Sequence, residues 1–192
     1  MSDTSSRKIL LTSAGFETKA ISGAFLHFVG MEPSEIKALF IPTAAIFPDA
    51  ITVLPKCMDD LLNIGIPAGN IKIFDLHRSM TMEELSAFDA IYFIGGSPQY
   101  LLDRINDTGF NKPLNEFVDK GGVYVGVSAG SIVAAGNLPN NLGYLKAVLR
   151  VHMKTGTAPG TFDNEVVSQI NLTNNQTVLI SGSVYEIVGK RE

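Results

Sequence analysis

One serine lies between two glycines at the end of an apolar run, where residues 126–130 read Gly-Val-Ser-Ala-Gly. This is the pattern G-x-S-x-G, which presents a nucleophilic serine on a sharp turn between a strand and a helix. The glycines give the room that close packing of that strand and helix demands. The pattern predicts that Ser128 is a nucleophile able to attack a carbonyl carbon and form an acyl-enzyme.

Such an attack needs hydrogen-bond donors for the oxyanion that develops on the carbonyl. The amide of Ala129 would lie at the start of the following helix, where the helix field favours negative charge. Residues 94–97 read Ile-Gly-Gly-Ser, and glycine lets a backbone N–H approach a ligand closely. We predict that Gly96 and Ala129 supply the two donors. The alternative is that these small residues serve packing alone.

A serine hydroxyl also needs a base, usually histidine, and the chain has three. His152 ends the apolar run 147–152 and enters a stretch rich in Gly, Thr and Pro, so it is the predicted base. His27 lies among aromatic residues of a predicted helix, which favours a packing role. His77 follows a predicted strand, and its position is typical of a surface loop.

The third member of such a site is normally a carboxylate that fixes the imidazole tautomer. No Asp or Glu occurs between Ser128 and His152. The downstream candidates, among which spacing does not choose, are Asp163, Glu165, Glu186 and Glu192. The missing acid motivates a second hypothesis, a catalytically weak or inactive protein that keeps the elbow but binds a ligand or partner.

The elements that must position these residues follow from the apolar pattern. Short runs rich in β-branched and aromatic residues predict buried strands at 8–12, 37–41, 71–75, 90–94 and 123–127. Helical spacing lies between them, at 21–29 and 54–62, and further helix starts are indicated by Thr81 with Glu84 and by Ser97 with Pro98. This alternation predicts βαβ units and a parallel sheet.

Beyond residue 136 the pattern loosens, and apolar runs recur at 147–152, 177–181 and 184–188. The last two predict a hairpin around Gly182 and Ser183, in a region typical of an antiparallel edge. We therefore predict one domain over residues 1–192. Its class is α/β, with three α/β/α layers, a mostly parallel, flavodoxin-like central sheet and a C-terminal hairpin.

Composition excludes several partners. The formal net charge is −4 and the Lys and Arg residues are scattered, so nucleic acid is not expected. No apolar run reaches the roughly 18 residues that span a bilayer, and residues 1–8 do not resemble an export signal. A single cysteine, Cys57, and no zinc-type cluster favour a cytoplasmic protein without a metal. A flavin or nucleotide is the weakest alternative, because residues 12–16 lack the glycine spacing that binds phosphate.

The sequence resembles the peptidase S51 family, which comprises aspartyl dipeptidase (peptidase E) and cyanophycinase and whose fold is related to class I glutamine amidotransferases. The segments that carry the resemblance are Ile-Leu-Leu-Thr-Ser-Ala-Gly-Phe at 9–16, Leu-Phe-Ile-Pro-Thr-Ala at 39–44, Tyr-Phe-Ile-Gly-Gly-Ser at 92–97, Tyr-Leu-Leu at 100–102, Gly-Val-Ser-Ala-Gly at 126–130 and Val-His at 151–152.

This resemblance implies a serine peptidase that acts on a small peptide or amide without a cofactor. It places the nucleophile at Ser128, the histidine at His152 and the oxyanion donors at Gly96 and Ala129. A homo-oligomer is left open.

Three positions depart from the family pattern. The glycine loop reads Gly-Gly-Ser-Pro-Gln at 95–99, where the family often has Gly-Gly-Gly-Asn-Thr. Aspartyl dipeptidases carry an acidic residue soon after the nucleophile, whereas this chain has Asn137, Asn140 and Asn141. The stretch that follows His152 offers only Lys154 as a cation and has no Arg before Arg191, and Lys lacks the bidentate fork of Arg. Aspartyl specificity is therefore not expected.

Overall fold

A mixed eight-stranded sheet organises the fold. The computed structural model describes residues 6–192. Five neighbouring strands of the sheet run parallel to one another: β1 (Lys8–Thr12), β2 (Ala38–Ile41), β3 (Ile71–Ile73), β4 (Ala90–Phe93) and β5 (Val123–Val127). Their order across the sheet is β3-β2-β4-β5-β1. The five predicted strands are confirmed, although β3 ends at Ile73 rather than at residue 75.

The C-terminal part adds β6 (Val148–Arg150), β7 (Gly160–Phe162), β8 (Gln169–Asn171), β9 (Gln176–Ser181) and β10 (Val184–Gly189). Strand β9 pairs antiparallel with β1, β10 with β9, and β7 with β10. The predicted hairpin is therefore β9 and β10. The run 147–152 is not part of this antiparallel edge: β6 pairs in parallel with β8 in a separate two-stranded sheet.

Helices connect the parallel strands, as the alternating pattern predicts. They are α1 (Lys19–Val29), α2 (Pro48–Thr52), α3 (Leu54–Asn63), α4 (Met82–Leu85), α5 (Pro98–Asp107), α6 (Asn111–Asp119) and α7 (Ala129–Ile132). Thr81 and Glu84 form the predicted capping box of α4, and the Ser97 side chain caps α5. Each cap satisfies amides that a helix start leaves without an intrahelical acceptor.

Two apolar layers cover the two faces of the sheet. Successive side chains of a strand point to opposite faces. In β1, Ile9 and Leu11 pack into the layer that contains residues of α5 and α6, whereas Leu10 packs into the layer that contains residues of α1 and α3. The predicted α/β class with helices on both faces is confirmed, and the sheet is buried between them.

The helices of the described chain are too short or too polar for a membrane crossing: over residues 6–192 none combines the necessary length with the necessary hydropathy.

Candidate active site

Five strand ends meet at one edge of the fold. Ser128 follows β5, the glycine turn at 95–96 follows β4, and Ser13 follows β1. His152 follows β6 and Asn174 follows β8, and because β6 and β8 are parallel, their carboxyl ends lie side by side. Ligands of open α/β sheets bind outside the carboxyl ends of the strands. The fold thus gathers these residues at the edge where a site is expected.

The backbone of Ser128 is strained. Its φ of 48° and ψ of −101° lie outside the ordinary regions for a residue with a side chain. Strained backbone of this kind persists only where the surroundings enforce it, and it clusters at functional sites. The sharp turn that G-x-S-x-G predicts is present, and it presents the half-buried Ser128 side chain to the cavity described below.

The two flanking glycines allow this turn for steric reasons. A Cβ added to Gly126 would lie 2.6 Å from the carbonyl of Gly130, and a Cβ added to Gly130 would lie 2.7 Å from Phe93. Neither space admits a methyl group without movement of the backbone. The glycines therefore let α7 start directly against β5 and β4.

Hydrogen bonds fasten the elbow to the end of β1. The Ser128 amide donates to the Thr12 carbonyl (3.1 Å), and the buried Ser131 hydroxyl lies within hydrogen-bond distance of the carbonyls of Thr12 (2.7 Å) and Gly126 (2.8 Å). The Thr12 hydroxyl donates to Gly126 as well (3.0 Å). Ser128 is therefore held on a rigid support, which a precise attack geometry requires.

His152 reaches Ser128 directly. Its Nε2 lies 3.1 Å from the Ser128 hydroxyl oxygen, within hydrogen-bond reach. The residue has a φ of 57°, the left-handed region, so both members of the pair occupy backbone conformations that residues with side chains seldom adopt. The imidazole is exposed to solvent at one side.

The other ring nitrogen of His152 faces an amide rather than an acid. Its Nδ1 lies 2.9 Å from Asn174 Oδ1 and 3.4 Å from the hydroxyl of Ser13. The Ser13 hydroxyl itself donates to Asn174 Oδ1 (3.2 Å) and accepts the backbone amide of His152 (2.7 Å). An acceptor at Nδ1 holds the proton on that nitrogen, which leaves the lone pair of Nε2 directed at Ser128.

The four downstream carboxylates that the sequence offers as candidates lie away from His152. Glu165 pairs with Lys146 (2.5 Å), and Asp163 accepts the backbone amide of Glu165 (2.8 Å). Glu186 belongs to β10, opposite Leu179 and Thr161, and Glu192 is exposed near the chain end. Over residues 6–192, no carboxylate makes a hydrogen bond or ion pair with His152.

The three asparagines that follow the nucleophile in the sequence do not act as the third member of the site beside His152. Asn137 uses both ends of its amide on the backbone of Leu149 in β6 (2.9 Å each), and Asn141 bonds to the nearby carbonyl of Leu138 and the amide of Gly143. Asn140 accepts from Asn106 through its carbonyl. Their roles are structural, and Asn137 serves the site indirectly by holding the strand that leads to His152.

The glycine turn after β4 lies against the elbow. A Cβ added to Gly95 would lie 3.3 Å from that of Ser128, and Gly96, with a φ of 137°, runs so close to the Ala44 carbonyl that only glycine fits there. In the described part of the chain, no backbone acceptor takes the Gly96 amide, and Ala129 is the first residue of α7, whose amide has no intrahelical acceptor. Because α7 is a single turn, the helix field adds little, and the amides themselves are the available donors.

The remaining histidines lie apart from this edge. His27 is exposed on α1, so the expected packing role is wrong; its ring lies beside that of Phe28, with the ring centres 6.5 Å apart. His77 is exposed in the loop after β3, with its ring 5.1 Å from that of Phe74. Neither contacts Ser128.

A cavity of about 490 Å³ opens at the Ser128 hydroxyl. Its walls contain Ser13, Gly95, Gly96 and His152 on the side of the elbow, and residues of α2, α3 and the loop after β1 on the other. The size falls within the range of small-molecule sites. In residues 6–192, no group of three or more His, Cys, Asp and Glu has an arrangement suited to a metal ion.

A second nucleophile, Cys57, also lines the cavity. Burial raises the pKa of its thiol to about 11, so the thiol stays protonated at neutral pH and is a poor nucleophile. Burial also raises the pKa of the nearby Asp60, whose carboxylate accepts hydrogen bonds from Tyr92 (2.6 Å) and Phe16 (2.8 Å). Between Cys57 and Ser128, Ser128 is the one with a base in place.

Sequence reasoning missed Asn174 and Ser13. A search restricted to carboxylates could not find Asn174, although its place before β9 and the known use of amides as third members in other hydrolases were available signals. Ser13 lies in the turn after β1, within the segment 9–16 that carries the family resemblance, and no local pattern there indicates its contact with His152.

Comparisons with known proteins show which family the sequence matches. The sequence profile of peptidase family S51 matches residues 9–144, which include the glycine turn and the elbow but not His152 or Asn174. An uncharacterized peptidase of Listeria monocytogenes, Lmo0363, is 27% identical over 99 residues, which cover 52% of this chain and 48% of the relative. An uncharacterized peptidase of Pasteurella multocida, PM1590, is 25% identical over 114 residues, which cover 59% of this chain and 55% of the relative. The matches thus span about half the length of these curated relatives.

Solved structures share the fold over nearly the whole chain. A crystal structure of a provisionally assigned peptidase E from Listeria monocytogenes superposes with a TM-score of 0.73 at 21% identity, covering 97% of this chain and 98% of the other. A peptidase from an acI-B1 Actinobacterium gives a TM-score of 0.68 at 18% identity, covering 96% and 88%. At these identities the likeness establishes the fold.

Proposed function

This chain belongs to peptidase family S51, and from that premise we propose that it is a serine peptidase that hydrolyses small peptides or related amides. Ser128 is the nucleophile and His152 the general base. The observation that carries the proposal is the 3.1 Å approach of His152 Nε2 to the Ser128 hydroxyl, made at a strained elbow that opens on a cavity.

The first half of the reaction forms an acyl-enzyme. The Ser128 oxygen attacks the carbonyl carbon as its proton passes to His152 Nε2, and the carbonyl oxygen becomes an oxyanion. The imidazolium then gives that proton to the leaving amine as the C–N bond breaks. The amides of Gly96 and Ala129 are the proposed donors to the oxyanion, because Gly96 lines the cavity, Ala129 directly follows Ser128, and neither N–H has a backbone acceptor in the described chain.

The second half regenerates the enzyme. Water attacks the acyl carbon and gives a proton to His152, the ester bond to Ser128 breaks, and the serine recovers its proton from the imidazolium. No redox partner or metal is required by these steps. Because the imidazole is partly open to solvent, the bound peptide itself must exclude bulk water during the first half.

Asn174 is proposed as the positioning residue for His152. Its amide oxygen keeps the proton on His152 Nδ1, as a carboxylate would. The Ser13 hydroxyl bonds to both residues, because it donates to Asn174 Oδ1 and accepts from the backbone amide of His152. A neutral amide gives the imidazolium less electrostatic stabilisation than a carboxylate does. This observation favours a second candidate, a weakly active family member whose main role is to bind a ligand or partner.

Hydrolysis of a peptide mixture separates the two candidates. We expect the purified protein to consume at least one member of a mixture of dipeptides and aminoacyl amides, followed by mass spectrometry, and Ser128→Ala to lower that rate by at least about 10⁴-fold. Equal rates for the two proteins would refute the proposed nucleophile. If no member is consumed although Ser128 reacts with a small phosphonate, the weakly active candidate is favoured.

A further inference from the structure

The cavity beside Ser128 has an apolar wall that no contact within the described chain covers. Phe47, Ala50 and Val53, from α2 and its ends, line it, and Phe47 and Val53 remain 58% and 43% exposed. Ile46 and Ile51 of the same segment are also exposed, by 42% and 50%. Contiguous exposed apolar side chains at a cavity mouth mark a place where a ligand is bound.

Among the described residues of these walls, Lys56 is the one lysine or arginine, and its ammonium is already engaged. Lys56 Nζ donates to Glu17 (2.5 Å) and to the Ala14 carbonyl (2.6 Å), and a carboxylate oxygen of Asp60 lies 3.8 Å away. Partial burial lowers the pKa of Lys56, but the Glu17 hydrogen bond and the Asp60 charge raise it by more, so the group remains charged and bound to these acceptors. Little of its charge is available to a ligand carboxylate.

The remaining charge on the walls is negative. Asp49 lines the same cavity, and within residues 6–192 its carboxylate forms no ion pair. Glu17 is neutralised by Lys56, so Asp49 is left as the net charge of this wall. An acidic side chain would meet repulsion here and would lose its hydration without gaining a cation.

From these features we propose that the substrate residue whose side chain enters this cavity is apolar, such as Leu or Phe, and that acidic residues are rejected. The inference rests on the proposed function, because it assigns the substrate class of the same site. An apolar substrate side chain would cover the exposed faces of Phe47 and Val53. Because the Lys56 ammonium is already bonded to Glu17 and Ala14, it does not attract an acidic substrate side chain.

Aminoalkyl diphenyl phosphonates with different side chains test this without a known substrate. In labelling, the bond from Ser128 Oγ to phosphorus forms as a phenoxide leaves, and the serine proton passes to His152. We expect the Leu and Phe analogues to label Ser128 at least about thirtyfold faster than the Asp analogue, and about tenfold faster than the Ala analogue. Rates are read by intact mass.

Two variants make the test specific. Glu17→Gln removes the carboxylate that pairs with Lys56, so we expect the ratio of the Asp-analogue to the Leu-analogue labelling rate to rise at least about tenfold. Val53→Asp places a charge on the apolar wall and should lower the labelling rate of the Leu analogue by about tenfold or more. Glu83→Gln, an exposed change of the same chemistry on α4, is the control and should leave the ratio unchanged. Thermal melting of each variant confirms folding.

The outcomes distinguish this inference from the proposed function. If a small fluorophosphonate labels Ser128 but the Asp analogue reacts as fast as the Leu analogue, the inference is overturned and the proposed function stands. An unchanged ratio in Glu17→Gln would show that Lys56 does not control acid rejection. If not even the small fluorophosphonate labels Ser128, the proposed function fails first.

Discussion

Replacing His152 with alanine is expected to lower kcat for peptide hydrolysis by about 10⁴- to 10⁶-fold. The imidazole is the sole base within reach of the Ser128 hydroxyl in the described chain, at 3.1 Å, and no other group there can accept its proton. KM should change little, because the ring does not contribute to the apolar wall that we propose binds the substrate. Steady-state kinetics on any substrate from the mixture measures both constants.

The other two histidines provide matched controls. His27→Ala and His77→Ala alter exposed residues on α1 and in the loop after β3, and each should leave kcat within about twofold of the parent. If His77→Ala proved more damaging than His152→Ala, the base would be assigned to the wrong residue.

Replacing Asn174 is expected to have the second-largest effect on kcat. Asn174→Ala removes the acceptor at Nδ1, 2.9 Å away, so the ring can take the wrong tautomer or rotate, and we expect kcat to fall by about 10²- to 10⁴-fold. Asn174→Asp keeps an acceptor in place and adds a charge that stabilises the imidazolium, so kcat should equal or exceed that of the parent.

The pair of variants separates positioning from a structural role. A merely structural asparagine would lower kcat and stability together in both variants, and its aspartate replacement would not rescue turnover. Equal kcat for Asn174→Ala and the parent protein, with both folded by thermal melting, would contradict a positioning role.

Local patterns explain what the sequence could predict. The buried strands, the caps at Thr81 and Ser97, and the elbow at Ser128 are encoded within a few residues each, so their spacing alone indicates them. The proximity of His152 to the elbow also follows from its place at the end of an apolar run and from the family resemblance.

Long-range pairing explains what the sequence could not predict. Strands β7 (Gly-Thr-Phe) and β8 (Gln-Ile-Asn) are three residues long and each contains one large apolar residue, so neither forms an apolar run. Asn174 reaches His152 only because β6 and β8 pair in parallel, a contact between segments about twenty residues apart that no local pattern encodes. The neutralisation of Lys56 by Glu17 likewise depends on how α3 packs beside the loop after β1.

Reaction with a fluorophosphonate, read by intact mass, tests most directly whether Ser128 is an activated nucleophile. We expect the parent protein to gain the mass of a single adduct, mapped by peptide digestion to Ser128, and Ser128→Ala to gain none. His152→Ala should label far more slowly, and iodoacetamide treatment at neutral pH should leave the folded protein's Cys57 unmodified, because burial raises the pKa of that thiol to about 11. An equal adduct on Ser128→Ala, or no adduct on the folded parent protein, would contradict the account.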